Sequence, residues 1–351
     1  MRLGVIAIVL AVATITGRAD VWQHAIETSS PDAMQDKYDF EMKSGDEQTL
    51  QANARGITYK EIKNHVAFAA AAYRAAALAK PTAPEPHYRL GKLLYSFFFE
   101  CENMLVQSNV SILCSSDPTN IDRKHAEEVI AAWDAFEARA PLDPRLSVDA
   151  EGSSEILFQR AILHTKLANA QKPSEDRKHL EAATHDYEKI LARADQSSDE
   201  TIWSNLAETY MMIGRLDDAV DMYREALKRG GSASTLYGLA VALDRDERGA
   251  QARDLILSQT EESKETFHKR VMMRQVFFVP PGEEYYYFAL LEEAYGSNEL
   301  AIEYWQKYLH SPAGARVEFQ ARAKQHLDTL LAQRKKHPPV FLPPLPDELF
   351  R

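Results

Sequence analysis

The chain has 351 residues, 45% of them hydrophobic and 26% charged, and a formal net charge of −11. That balance belongs to folded globular proteins and excludes a disordered chain, and the length allows one large domain or two ordinary ones. A surface this acidic repels phosphate backbones, so nucleic acid is set aside as a partner.

At the N-terminus, Arg2 precedes an apolar run from Leu3 to Thr16, and Gly17 and Ala19 occupy the small-residue positions of a cleavage site. Residues 1–19 therefore read as a secretory signal peptide cut after Ala19. The run is shorter than the roughly 20 apolar residues a spanning helix needs. No transmembrane span is expected after cleavage, and the loss of Arg2 and Arg18 would take the charge from −11 to −13. The expectation is an exported protein, periplasmic or secreted. Residues 20–56 form a polar segment, helical in part.

From residue 57 to 333 the chain alternates short helical stripes with breaks. Ala69, Tyr73 and Ala76 lie on one helical face, closed by Pro81; His87, Leu90, Gly91 and Leu94 form the next stripe. Residues 100–123 interrupt the pattern and carry Cys101 and Cys114, the two cysteines of the chain. In an exported protein they are a disulfide candidate; the alternative is a pair of buried thiols. Asn109, in Asn-Val-Ser, would accept a glycan in a eukaryotic secretory path. Val129, Trp133 and Phe136 form the following stripe, closed by Pro141. Leu157 to Leu167 pairs with a helix carrying Ala183, Tyr187 and Ile190.

The clearest unit is WSNLAETYMMIGRLDDAVDMYREALKRGG, Trp203 to Gly231. Trp203, Leu206, Ala207 and Tyr210 share a face, Gly214 ends that helix, and Asp217 and Asp218 suit the start of a second. Ala219, Tyr223 and Ala226 make its inner stripe. Leu236, Leu239, Ala240 and Leu243 then pair with Ala252 and Ile256. After the break at Pro280-Pro281-Gly282, Tyr287, Leu290, Leu291 and Ala294 pair with Ala301, Trp305 and Tyr308. Tyr285, Tyr286 and Tyr287 cannot all face inward, because helical neighbours diverge by 100°. The segment Val276 to Val279 is expected to lie extended over the preceding helices. A last helix with Ala323, Leu327, Leu330 and Leu331 on one face caps the series. Residues 334–351 form a basic, then Pro-rich tail suited to polyproline II. It reads as a strap along the last helices, or as a docking peptide.

The Trp203 unit resembles the tetratricopeptide repeat (TPR): W-x2-L-x3-Y, a Gly turn, then A-x3-Y-x2-A. The other stripes are similar to degenerate copies, five or six units over about two-thirds of the mature chain. The resemblance implies an all-α helical-hairpin solenoid, a right-handed superhelix whose first helices line a concave groove. The first expectation is a scaffold or adaptor that binds a protein or peptide in that groove; with the signal peptide, it is read as part of a bacterial envelope complex. Carried over position by position, the family's groove residues fall on Ser204, Glu208, Met211 and Met212 in the clearest unit. They fall on Tyr88, Lys92 and Tyr95 in the unit at His87, on Tyr237, Val241 and Asp244 in the unit at Leu236, and on Phe288, Glu292 and Tyr295 in the last. The Lys and Asn positions with which some members clamp a terminal carboxylate are not reproduced. An acidic groove carrying Met and Tyr suits a basic or amphipathic helical partner.

There is no H-E-x-x-H, G-x-S-x-G, Gly-rich phosphate loop or zinc-spaced Cys pair in the sequence. No catalytic residue, metal site or cofactor is assigned. His179 and His185 are six residues apart, off one helix face, and His164 would join them only through tertiary packing. Two other readings stay open. One is a small-ligand receptor or enzyme built on the aromatic unit at Tyr285–Tyr295; the other is a self-assembling structural subunit.

Overall fold

A computed structural model describes residues 31–99, 121–140, 151–168, 172–192, 199–273, 276 and 280–336. The signal-peptide segment, Cys101, Cys114, Asn109, most of Val276 to Val279 and the Pro-rich tail lie outside the described residues. Every regular element described is helical, and no strand occurs among the described residues. None of these helices is long and apolar enough to cross a membrane.

The chain divides into two compact units, one through Ser153 apart from residues 117–121, the other from Ser154 onward. The first contains α1 (Pro31–Ala52), α2 (Tyr59–Ala79), α3 (Glu85–Phe98) and α4 (Arg123–Arg139). The pairs α1/α2 and α3/α4 are helical hairpins. The polar segment before residue 57 is thus more regular than the sequence pattern suggests. It supplies a 22-residue helix that partners the stripe of Ala69, Tyr73 and Ala76. Tyr73 lies against Gly45, where a Cβ would come within 2.5 Å of the ring. The Tyr73 hydroxyl donates to Asp46 at 2.8 Å. Helix α2 opens on a capping box in which Thr58 and Glu61 bond reciprocally to the backbone. In α3/α4, Trp133 lies over Gly91, a position too close for any side chain.

The second unit contains α5 (Glu151–Leu167), whose first turn precedes the division, α6 (Pro173–Leu191), α7 (Glu200–Met212), α8 (Leu216–Lys228), α9 (Ala233–Arg245) and α10 (Gly249–Leu257). It continues with α11 (Glu261–Met272), α12 (Glu283–Ala294), α13 (Asn298–His310), a 3-10 turn (Ala313–Ala315) and α14 (Val317–Lys336). Consecutive helices pack as α7/α8, α9/α10 and α12/α13, and α14 covers α13. One apolar core runs from Leu157 in α5 to Leu330 in α14.

The packing rule inside each hairpin is large against small. Ala207, Ala219 and Ala226 are fully buried, and Tyr223 fills the space they leave. Gly238 of α9 admits Tyr223 from the other side, where an added Cβ would meet the ring at 2.6 Å. Helices α5 and α6 are also joined by a buried Arg160–Asp186 pair, bidentate at 2.7 and 2.6 Å. Of the triple Tyr, Tyr286 and Tyr287 are buried while Tyr285 stays half-buried on Tyr304, the divergence the helical angle requires.

Helix α11 was not anticipated. A single buried residue, Phe267, anchors it, so it has no stripe to read. Its ends do carry a signature: Thr260 caps Ser263 N–H, Glu261 and Glu262 open it, and Lys269 and Arg270 close it.

Candidate functional site

The first helices of three successive hairpins in the second unit, α5, α7 and α9, line one open cleft of about 430 Å³. Phe158, Ile162 and Thr165 come from α5. Glu200, Thr201, Ser204, Asn205, Glu208, Thr209 and Met212 come from α7, and Ser234 and Thr235 from α9. These positions share a face because α7 turns its Leu206–Ala207–Tyr210 stripe inward against α8, leaving the Ser204–Glu208–Met212 row to face the cleft. Arg270 of α11, with Val276 and Tyr287, forms the opposite rim. A smaller recess of about 280 Å³ adjoins it and shares Ser234 and Arg270.

Glu208 stands at the floor. Its Oε2 accepts hydrogen bonds from Tyr223 Oη at 2.5 Å and Tyr287 Oη at 2.8 Å, while Oε1 is buried with no partner among the described residues. Burial, and then the nearby charge of Glu283, push the carboxyl above its usual range. Across the cleft, Ser204 Oγ and Thr235 Oγ1 lie 3.1 Å apart. Arg270 makes no hydrogen bond or ion pair among the described residues.

The groove positions inferred from the repeat pattern separate into three groups. Ser204, Glu208 and Met212 line this cleft together. Met211, Tyr237, Val241, Asp244, Phe288 and Glu292 are buried in the core instead. Helix α11 lies where an open groove was expected: Phe267 packs edge-on against Tyr237 at 5.0 Å and against Phe288 at 6.2 Å. Lys264 of α11 reaches Glu292 at 3.1 Å. Met211, Val241 and Asp244 are turned into the helix interfaces of their own and neighbouring hairpins. Tyr295 is half-buried and donates to the carbonyls of Ile256 and Gln259. The third group, Tyr88, Lys92 and Tyr95, belongs to the first unit; Tyr88 packs on Phe136 and Tyr95 on Trp133.

Asp244 is the hub of a buried polar cluster. It accepts from Tyr286 Oη at 2.8 Å and Arg322 Nη2 at 2.6 Å, and His326 Nε2 lies 3.1 Å away. His326 Nδ1 meets Glu293 at 2.9 Å, and its ring stacks on Trp305. Burial alone would raise the Asp244 pKa, but the bonds to His326 and Arg322 outweigh it and hold it at about 2. For His326, burial would lower the pKa, and the bonds to Asp244 and Glu293 instead lift it to about 9. Beside this cluster, Arg245 and Glu283 form a fully buried ion pair at 2.6 Å. The guanidinium is sandwiched between Tyr286 and Phe319 at 4.3 and 4.0 Å.

His164 and His179 do meet, Nδ1 to Nδ1 at 3.0 Å. One ring nitrogen must donate and the other accept, so the pair shares a tautomer arrangement rather than two charges. No cluster of three potential metal ligands occurs among the described residues.

No protein-family model matches the chain, and no curated protein matches it.

The cleft positions that sequence reasoning missed include those of α5 and α11, Glu200, Thr201, Asn205 and Thr209 of α7, and Ser234 and Thr235 of α9. Glu200, Thr201 and Asn205 sit on the same face as Ser204 and could have been read from helical spacing. Arg270 could not, without α11.

Proposed function

We propose that this chain is an exported, non-enzymatic scaffold of TPR-like hairpins. Its cleft along α5, α7 and α9 would hold an extended or helical segment of a protein partner in an envelope complex. The observation that carries this reading is the convergence of three successive first helices on one open cleft floored by Glu208. The large-on-small packing of Ala207, Ala219, Ala226 and Tyr223 supports the TPR-like hairpin. Export is supported by Arg2, the Leu3–Thr16 run and the small residues Gly17 and Ala19. The cleft's walls mix aliphatic, aromatic, hydroxyl and carboxylate groups, the composition of a segment-binding surface that orders a chain through both apolar and polar contacts.

The test is capture of the protein from its own cells after mild cross-linking, alongside the Thr201→Arg, Asn205→Arg double variant. Both residues line the cleft without being in the core, so the fold is expected to survive. A stoichiometric partner lost in the variant supports the scaffold. A partner retained undiminished places binding elsewhere, and no partner at all counts against a scaffold. The mass of the protein from fractionated cells tests export: cleavage after Ala19 is the expected result.

A further inference from the structure

We propose that the cleft seats one cationic side chain, a Lys or Arg of a basic peptide segment, against the free oxygen of Glu208. This deepens the scaffold reading and rests on it.

The Glu208 carboxyl is half-engaged. Oε2 takes both tyrosyl hydroxyls, from α8 and α12, and Oε1 has no partner among the described residues although it is buried. Leaving a buried acceptor unpaired is costly, about 1–3 kcal/mol and more for a charged group. An ammonium or guanidinium would satisfy it. The surrounding surface suits the same ligand. Phe158 is the partly exposed ring of the lining, beside the buried Tyr187, Tyr223 and Tyr287, and an aromatic face attracts cations. Glu200 adds a second carboxylate to the lining. The net charge of −11 draws basic segments toward the protein. Arg270 is the sole cation among the lining residues and belongs equally to the adjoining recess.

The geometry also places a proton. Since both tyrosines donate to Oε2, a protonated Glu208 carries its hydrogen on Oε1. Burial and Glu283 favour that form in the empty cleft. A cation at Oε1 favours the carboxylate over the protonated form, so binding is linked to proton release and affinity should rise with pH. The titratable groups around Glu208 are Tyr223 of α8, Tyr287 and Glu283 of α12, and Arg245 of α9. Tyr187, Glu200 and Arg270 also line the cleft. None of these is a histidine, and burial pushes Tyr223 and Tyr287 well above their ordinary range.

The experiment titrates the full chain with a fluorescent oligolysine decapeptide and a matched oligoglutamate, at pH 5 and pH 7. Nα-acetyl-lysine amide serves as competitor. Oligolysine is expected to bind, more tightly at pH 7, and oligoglutamate is not. Glu208→Gln keeps an acceptor for the tyrosines; it should weaken oligolysine by about tenfold or more and abolish the pH dependence. Glu200→Gln should change affinity less than about threefold. Competition by the free lysine amide would show that the side chain alone is recognised. Tyr287→Phe removes a bond that favours the carboxylate, so the pH at which affinity is half-gained should rise; this arm does not depend on Glu208→Gln folding. Unchanged affinity in Glu208→Gln, a fixed pH midpoint in Tyr287→Phe, or preference for oligoglutamate would overturn the inference. A captured partner that is lost on Thr201→Arg, Asn205→Arg but kept on Glu208→Gln would leave the scaffold reading standing and remove only this one.

Discussion

Two partly enclosed histidines set the α5/α6 hairpin against the junction of α9 with α12 and α14. His164, on α5, faces His179 and sits near Arg160; burial first, and then these two neighbours, drive its pKa down to about 3. His326, on α14, is similarly enclosed, yet Asp244 and Glu293 lift it to about 9. Burial opposes the charged form in both places. What differs is whether carboxylates face the ring. The hairpin is joined by apolar packing, by the His164–His179 contact and by the Arg160–Asp186 pair, whose carboxylate is engaged on both oxygens. The junction is joined by charge: Asp244 pairs with Arg322 and His326, and Arg245 with Glu283.

The junction should therefore be the more fragile region, and the sharpest way to break it is Arg245→Ala. This leaves Glu283 buried without its partner, and breaking such a pair typically costs about 3–5 kcal/mol. Urea unfolding of the variant should show a loss of that size.

Acidity should then separate the two histidines. His326 has a folded pKa above the ordinary 6.5, so its contribution is complete below pH 6.5 and is lost as pH rises through about 9. At about 1.4 kcal/mol per unit the contribution is on the order of 3 kcal/mol, shared with Asp244 rather than added to it. Asp244, held at about 2, loses its share as pH falls through that value. His164 behaves oppositely to His326. Its folded pKa lies below that of the unfolded chain, so stability falls as pH drops from 6.5 toward 3. Urea midpoints measured from pH 4 to 10 should show both limbs. His326→Gln should flatten the alkaline limb alone, and His164→Gln the acid limb alone.

Steric disturbance of the hairpin packing comes next in size. At Gly238 a Cβ would lie 2.6 Å from the Tyr223 ring, so Gly238→Ala is expected to cost about 1–3 kcal/mol and to loosen Tyr223 from Glu208. The smallest effect concerns a helix end. Thr58→Ala removes the cap of α2 and should cost about 1 kcal/mol, measurable in thermal unfolding of the first unit.

These differences also explain what could be read from the sequence. The large-small alternation survives translation into structure because it depends on side-chain volume at fixed helical spacing. Ala207 with Tyr223, and Ala301 with Trp305 and Tyr308, are buried as their spacing implies. Helix α1 was only half-visible, since its buried positions include Gly45 and Ala52 and no long apolar stripe. Buried charges were illegible. Asp244 and Glu292 look like ordinary polar positions on a helix surface; α14, from far along the chain, supplies Arg322 to the first, and the unread helix α11 supplies Lys264 to the second. The cleft was legible at Ser204, Glu208 and Met212 because α7 belongs to the clearest unit. It was hidden wherever α11 intrudes, which turns Tyr237 and Phe288 from groove positions into core.

The central claim, that the cleft floored by Glu208 is where a partner binds, is tested most directly by site-specific photo-cross-linking in the producing cells. One probe replaces Asn205 within the cleft and a second replaces the exposed Leu78 on α2. The account predicts one partner protein cross-linked from position 205 and not from position 78. Cross-linking of the same partner from position 78 alone, with position 205 silent, would contradict it.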